Sequence, residues 1–267
     1  MTVGKSECSP HDRKSNPVVL AVEGSSRFCS VAIGTVSGNK LSGEFHLLAE
    51  VTADLNRTHA ERLLPMVEQT LALAGIGERE VTHLAAAVGP GSFTGLRIAL
   101  AVWKGLAFAW NLPLIGVSTL EAIALQCPAR DGIIAPMLDA KMGEIFGSAC
   151  KISETSGDLE ALIPEQAVKP GAFAAKLREL DRTVYALGDG LWRYETIFRE
   201  QAPRIVCLPA PFGIPRASMV ALAAAKRLKS HPDELPDPSR INPVYLRVSQ
   251  AEAAKIHQGD TAHDRSC

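Results

Sequence analysis

No two of the six cysteines (Cys8, Cys29, Cys127, Cys150, Cys207 and Cys267) form a CxxC pair, and no histidine of the seven has another three or four residues away. The first absence leaves no zinc knuckle or compact disulfide framework, so ordinary reduced thiols are expected. The second leaves no helix face presenting two imidazoles, so no self-contained metal site is expected. An excess of charge is missing too. With 28 Lys and Arg against 29 Asp and Glu the net charge is -1, which gives no overall positive field to gather nucleic acid; an RNA role needs a local patch or a partner. Long apolar runs are also absent. Ile98 to Trp110 spans 13 residues and contains Lys104 and Gly105, short of the ~20 that cross a bilayer. The opening stretch MTVGKSECSPHDRKSNP has no apolar centre of a signal peptide. The reading is a cytoplasmic protein with no membrane partner.

What is present suits a sizeable core, since a chain of 267 residues buries roughly 70–75% of its unfolded surface. Residues 1–16 read as a disordered tail and everything past Gln250 (251–267) as frayed. PVVLAVEG (17–24), FCSVAIGTV (28–36) and EFHLLAEV (44–51) have the composition of short strands in an antiparallel meander. HAERLLPMVEQTLALAG (59–75) carries Leu63, Val67, Leu71 and Ala74 at helical spacing and stops at a glycine, and THLAAAVG (82–89) predicts a buried strand. A second helix follows from about Thr94 to Trp110. After LPLIGVST the pattern begins again. VVLAVEGSSRFCSVAI (18–33) set against IIAPMLDAKMGEIFGS (133–148) reads as a weak internal repeat that matches the strand-end acids Glu23 and Asp139. The expected organisation is an N-terminal lobe at 17–115 and a related C-terminal lobe at 116–250 with a cleft between. Helices are expected at 171–181, near 191–200 and at 216–229, the last a candidate for packing back on the first lobe; VYALGDG (184–190) predicts a strand.

The glycine loop VGPGSFTGLR (88–97) fits neither known phosphate cradle. Gly95 is followed by Leu96 and Arg97, so the Walker lysine and hydroxyl are missing, and Gly89, Gly91 and Gly95 miss the dinucleotide spacing. Two readings stay open: an anion site at a helix N-terminus with Ser92 and Thr94 as caps, or glycines that let one backbone approach another. The acids Glu23 and Asp139 either hold a cation against nucleotide phosphates, with Gly188 and Gly190 as close-approach positions, or cap their own turns. The second helix is apolar nearly all round and must be covered on both sides, by the fold itself or by a partner. Lys226, Arg227, Lys229 and His231 make a small basic cluster, read as a solvated helix end or as an RNA contact. No Ser-His-Asp or HExxH arrangement supports a peptidase.

HAERLLPMVE (59–68), VGPGSFTGLRIAL (88–100), PLIGVSTLEA (113–122), DAKMGEIF (139–146) and PVYLR (243–247) resemble, in order and spacing, the TsaB (YeaZ-like) family. That resemblance implies an α/β, two-lobed actin-like ATPase (ASKHA, ribonuclease H-like) fold, a degenerate paralogue of the catalytic subunit TsaD. It implies a noncatalytic subunit of the bacterial complex that places threonylcarbamoyl on N6 of the adenosine beside the anticodon in tRNAs reading codons that begin with A. The implied partners are TsaD, TsaE and, through the complex, tRNA, with a homodimer left open; the implied cofactor is none for the chain alone, with ATP or ADP at the TsaD junction left open. TsaD's paired histidines are answered here by His59 alone, with Leu63 four positions on. The implied interface is His59, Leu63, Leu64, Val67, Leu71, Arg97, Leu100, Trp103 and Lys104. Val67→Asp and Leu100→Asp are expected to break pairing without unfolding if those side chains face outward. The family's first strand ends in Asp-Thr where this chain has Glu23-Gly24, which weakens nucleotide binding by this chain alone. The rival reading is an ASKHA-type small-molecule kinase or ATPase using Glu23 and Asp139 around magnesium.

Overall fold

The computed structural model describes residues 16–37, 45–55, 59–153, 155, 157–231 and 236–247. The tails expected at 1–16 and 251–267 therefore lie, but for residue 16, outside the described residues.

Alternating β-branched and small residues build the first sheet from β1 (Val18–Glu23), β2 (Phe28–Val36), β3 (Phe45–Asp54), β4 (His83–Gly89) and β5 (Leu114–Ser118), in the order β3-β2-β1-β4-β5. β1 runs antiparallel to β2 and parallel to β4, which is parallel to β5. Strand alternation sends Val18, Leu20 and Val22 to one face, where α1 (His59–Ala74) and α2 (Phe93–Trp110) cover them. Val19 and Ala21 go to the other face, as period-2 geometry requires.

The second sheet repeats the plan with β6 (Ile133–Lys141), β7 (Glu144–Ile152), β8 (Leu159–Val168), β9 (Val184–Leu187) and β10 (Ile205–Cys207), ordered β10-β9-β6-β7-β8. Its outer face is covered by α4 (Pro170–Glu179), α5 (Asp189–Arg193) and α6 (Glu195–Gln201). The two helices that follow the sheets are exchanged across the seam. α3 (Thr119–Ala124) sends Leu120 and Ile123 against Ile134, Leu138 and Leu187 of the second sheet, while α7 (Ala217–Ser230) lays Ala217, Val220, Ala221 and Ala224 on the first. This is the duplicated, two-lobed actin-like fold.

α7 owes its position to a carboxylate from a strand. Glu50 on β3 accepts from Ser218 N (3.0 Å), Ser218 Oγ (2.9 Å) and Ser30 Oγ (3.0 Å), supplying from outside the cap that Arg216, at the N-cap position, does not provide.

The repeat carries a one-residue correction. Ile133, Ala135 and Met137 do in the second lobe what Val18, Leu20 and Val22 do in the first, so 18 corresponds to 133 and Glu23 to Leu138. Asp139 then answers Gly24, and the two acids belong to opposite strand faces. Other departures have local causes. β8 carries Pro164 and exposed residues because it is an edge strand, where a missing ladder donor is tolerated. The helix expected near 191–200 is two short helices interrupted at Tyr194.

Candidate functional site

The glycine loop leads the chain from β4 into α2. Ser92 N donates to the Ser25 carbonyl at 2.6 Å, and Ser92 Oγ caps the helix by accepting from Gly95 N at 3.3 Å. A β-carbon on Gly91 would lie 2.5 Å from Ser25 O, and one on Gly95 would fall onto Gly24 O. The loop therefore presses its backbone on the β1–β2 corner, the close-approach reading. Thr94 sits exposed in the first turn of α2 and makes no cap. The second lobe repeats the device: Gly188, at φ +110°, packs on the Met137 backbone and Gly190 on that of Leu138, where a β-carbon would lie 2.7 Å from the carbonyl carbon. At both glycines the space that a β-carbon would take is filled by backbone, the same close approach as at Gly91 and Gly95.

The acids are arranged for structure more than for a cation. Glu23 is fully buried, and its Oε1 accepts from Ser25 N at 2.9 Å. Its Oε2, like Ser25 Oγ, meets no hydrogen-bonding partner. Burial raises the carboxyl to about 7; the Ser25 N–H opposes the rise, and the charge of Asp189 adds to it. Asp139 is already neutralised, since its Oδ2 pairs with Lys141 Nζ at 2.7 Å and Arg193 at 3.2 Å while Oδ1 accepts from Lys141 N at 2.9 Å. Asp189 accepts from Asp139 N at 2.8 Å, and burial raises its carboxyl as well. One sealed acid and one doubly paired acid do not fit a magnesium and nucleotide site.

α1 and α2 lie side by side over β1, β2 and β4, and the structure divides their apolar residues into two sets. Leu63, Val67, Leu71, Leu100 and Trp103, expected at a partner surface, are buried in the lobe's own core. The largest of them fixes the phase of α2: Trp103 Nε1 donates to the Leu20 carbonyl at 3.4 Å. Aspartate at Val67 or Leu100 would therefore probe folding, not pairing. The side chain of His59 lies outside the described residues. Leu64 is exposed as expected, at 48%, and sequence reasoning missed its companions Leu73 (65%) and Phe108 (87%). Ala101, Gly105 and Ala109 line the outer side of α2, with open space where a β-carbon on Gly105 would stand. Exposed apolar side chains beside a stripe of small ones let a second helix come close.

Two other surfaces were expected to meet partners. Arg97 and Lys104 are used within the chain: Arg97 Nε donates to Tyr245 Oη at 2.9 Å, and Lys104 Nζ donates to Ser239 O at 3.4 Å and Asn242 Oδ1 at 3.5 Å. They hold residues 236–247 against α2, and Val244 N donates to Val88 O at the end of β4 at 2.7 Å. The basic cluster on α7 is likewise engaged. Lys226 pairs with Asp158 at 3.2 Å, and Arg227 bonds Glu121 and Gly116 O, on the rim of a cavity of about 410 Å³ between the lobes. No helix among the described residues is long and apolar enough to cross a membrane.

Comparison with known proteins agrees with this architecture. Residues 46–255 match the family model described as TsaD, tRNA N6-adenosine threonylcarbamoyltransferase. The TsaB protein of Bacillus subtilis, named for tRNA threonylcarbamoyladenosine biosynthesis, is 30% identical over 82% of this chain and 93% of its own length. Its namesake in Escherichia coli is 31% identical over 87% and 96%. The solved structure of YeaZ from Pseudomonas aeruginosa superimposes with a TM-score of 0.67 at 30% identity, covering 86% of this chain and all of that one.

Proposed function

The chain belongs to the TsaB family, and on that footing we propose that it is the noncatalytic subunit of the bacterial tRNA N6-adenosine threonylcarbamoyltransferase complex. It binds and activates TsaD for threonylcarbamoylation of the adenosine beside the anticodon in tRNAs reading codons that begin with A. The observation that carries this reading is the set of large apolar side chains left exposed on α1 and α2, Leu64, Leu73 and Phe108, together with the exposed small residues Ala101, Gly105 and Ala109 of α2. Covering a leucine or phenylalanine side chain is worth roughly 1.5–3 kcal/mol, so a related lobe presenting two helices of its own would be held by several such contacts. A second copy of this chain satisfies the same face in the absence of TsaD.

The accessory role is supported at the position of TsaD's paired histidines and at the acid that the kinase reading needs. Leu63, four residues after His59, is a buried core residue, and Asp139 is held by Lys141 and Arg193. The kinase reading has no comparable support, because Glu23 is closed to solvent. Reconstitution tests the proposal: this chain, TsaD, the ATPase TsaE, tRNA and threonylcarbamoyl-adenylate are combined and each is omitted in turn. Modified adenosine is expected to fall to background without this chain. Undiminished product in its absence refutes the role, and ATP hydrolysis by the chain alone that Asp139→Ala abolishes restores the enzyme reading.

A further inference from the structure

We propose that the exposed rings of Phe93 and Tyr245, with the cations strung from Arg97 to Arg193 across the cleft mouth, form a contact surface for single-stranded RNA. The inference rests on the chain serving a tRNA-modifying complex and adds to it a surface that touches the substrate.

The two rings lie 5.0 Å apart yet remain 38% and 43% exposed. Arg97 carries its guanidinium 3.7 Å from the Phe93 ring centre while donating to Tyr245 Oη. Tyr245 is held there by a segment without regular structure, whose Val244 N bonds to the end of β4. Two residues on, Arg247 crosses to the other lobe, reaching Glu144 at 3.0 Å and the Ala140 carbonyl at 3.4 Å beside Met142, which is 72% exposed. Lys141 and Arg193 complete the line, both with mostly exposed side chains, while the Asp139 that pairs them is only 5% exposed. Lys141 and Arg193 stand outward of Asp139, whereas Arg247 and Glu144 are exposed about equally, at 28% and 31%, on a chain whose net charge is only -1. Among the described residues Arg97 is in no salt bridge.

Unpaired bases take this chemistry. A splayed base stacks on an aromatic face whatever its identity, a guanidinium extends the platform, and neighbouring cations take the phosphates. The patch is also well removed from Phe108. Phe93 opens α2 and Phe108 lies fifteen residues later, about 22 Å along the helix at 1.5 Å per residue.

The test is fluorescence anisotropy with a fluorescein-labelled anticodon stem-loop RNA, titrated with the full chain at low salt, and sizing-column pairing with TsaD run in parallel on the same variants. Phe93→Ala and Tyr245→Ala are expected to weaken RNA binding roughly 5- to 100-fold, with Tyr245→Phe binding like the parent and all three pairing normally. Arg97→Gln is expected to lower the slope of log affinity against log salt by about 1. Absence of saturable binding by the parent chain, or unchanged affinity and salt slope in these variants, overturns the inference. So does lost pairing with retained RNA binding, which would make the patch a protein contact. A parent chain that binds RNA and ignores TsaD would instead count against the accessory role.

Discussion

Gly95 in the first turn of α2 meets Gly24 at the end of β1 backbone to backbone, with no room for a β-carbon between them. Ala99 stands 3.0 Å from where a β-carbon on Gly24 would be, so neither side of the contact has slack. Gly95→Ala is expected to destabilise the fold by about 1–3 kcal/mol, the range of an overpacked buried contact that backbone must relieve. Urea unfolding monitored by circular dichroism reads this as a lower midpoint at unchanged slope. A midpoint equal to the parent's would mean that α2 shifts without cost.

Glu23 predicts a dependence on pH. Its folded carboxyl is raised from 4.5 to about 7 by burial, so between those values the folded chain holds a proton that the unfolded chain has released. Stability from this group is fully present below pH 4.5, declines as pH rises towards 7, and is then flat, a loss on the order of 3 kcal/mol. Glu23→Gln, neutral at every pH, should remove that decline. The variant is expected to gain on the parent between pH 5 and pH 8 in paired urea titrations. Parallel curves for the two proteins across that range would contradict the buried acid.

Glu50 holds the start of α7 through Ser218 and links it to Ser30. Glu50→Ala is expected to cost about 2 kcal/mol, combining a lost helix cap with polar groups left unpaired. Hydrogen exchange should localise the loss to α7 and the strands under it. Protection that fell evenly over both lobes would argue against a local cap.

Much of this fold is legible in the residues. The β-branched runs at 18–36 and the spacing of Leu63, Val67 and Leu71 give strands and helix in the right places, because period 2 and period 3.6 differ sharply in such segments. β8 is not legible, since an exposed edge strand broken by Pro164 has neither alternation nor a continuous apolar run. The outward face of α2 is hidden for a different reason. In a helix apolar on every side, composition cannot say which residues are inside; only the phase set by Trp103 at the Leu20 carbonyl decides it. The match of Glu23 with Asp139 fails by count alone, since 18 set on 133 puts Glu23 on Leu138, and one residue in a strand is the whole difference between its two faces. Tyr245 comes within reach of Phe93 and Arg97 only through long-range folding, which no local pattern announces.

The most direct test of the account is pairing with TsaD by the Leu73→Asp, Phe108→Asp double variant, measured by sizing chromatography with light scattering on protein whose circular dichroism matches the parent. Both side chains already face solvent, so the fold should survive. A buried carboxylate at each site should weaken pairing by at least ~100-fold, giving two separate monomer peaks where the parent gives one heterodimer. A variant that still elutes with TsaD as a single heterodimer at parental concentrations would contradict the claim that this face is the docking surface.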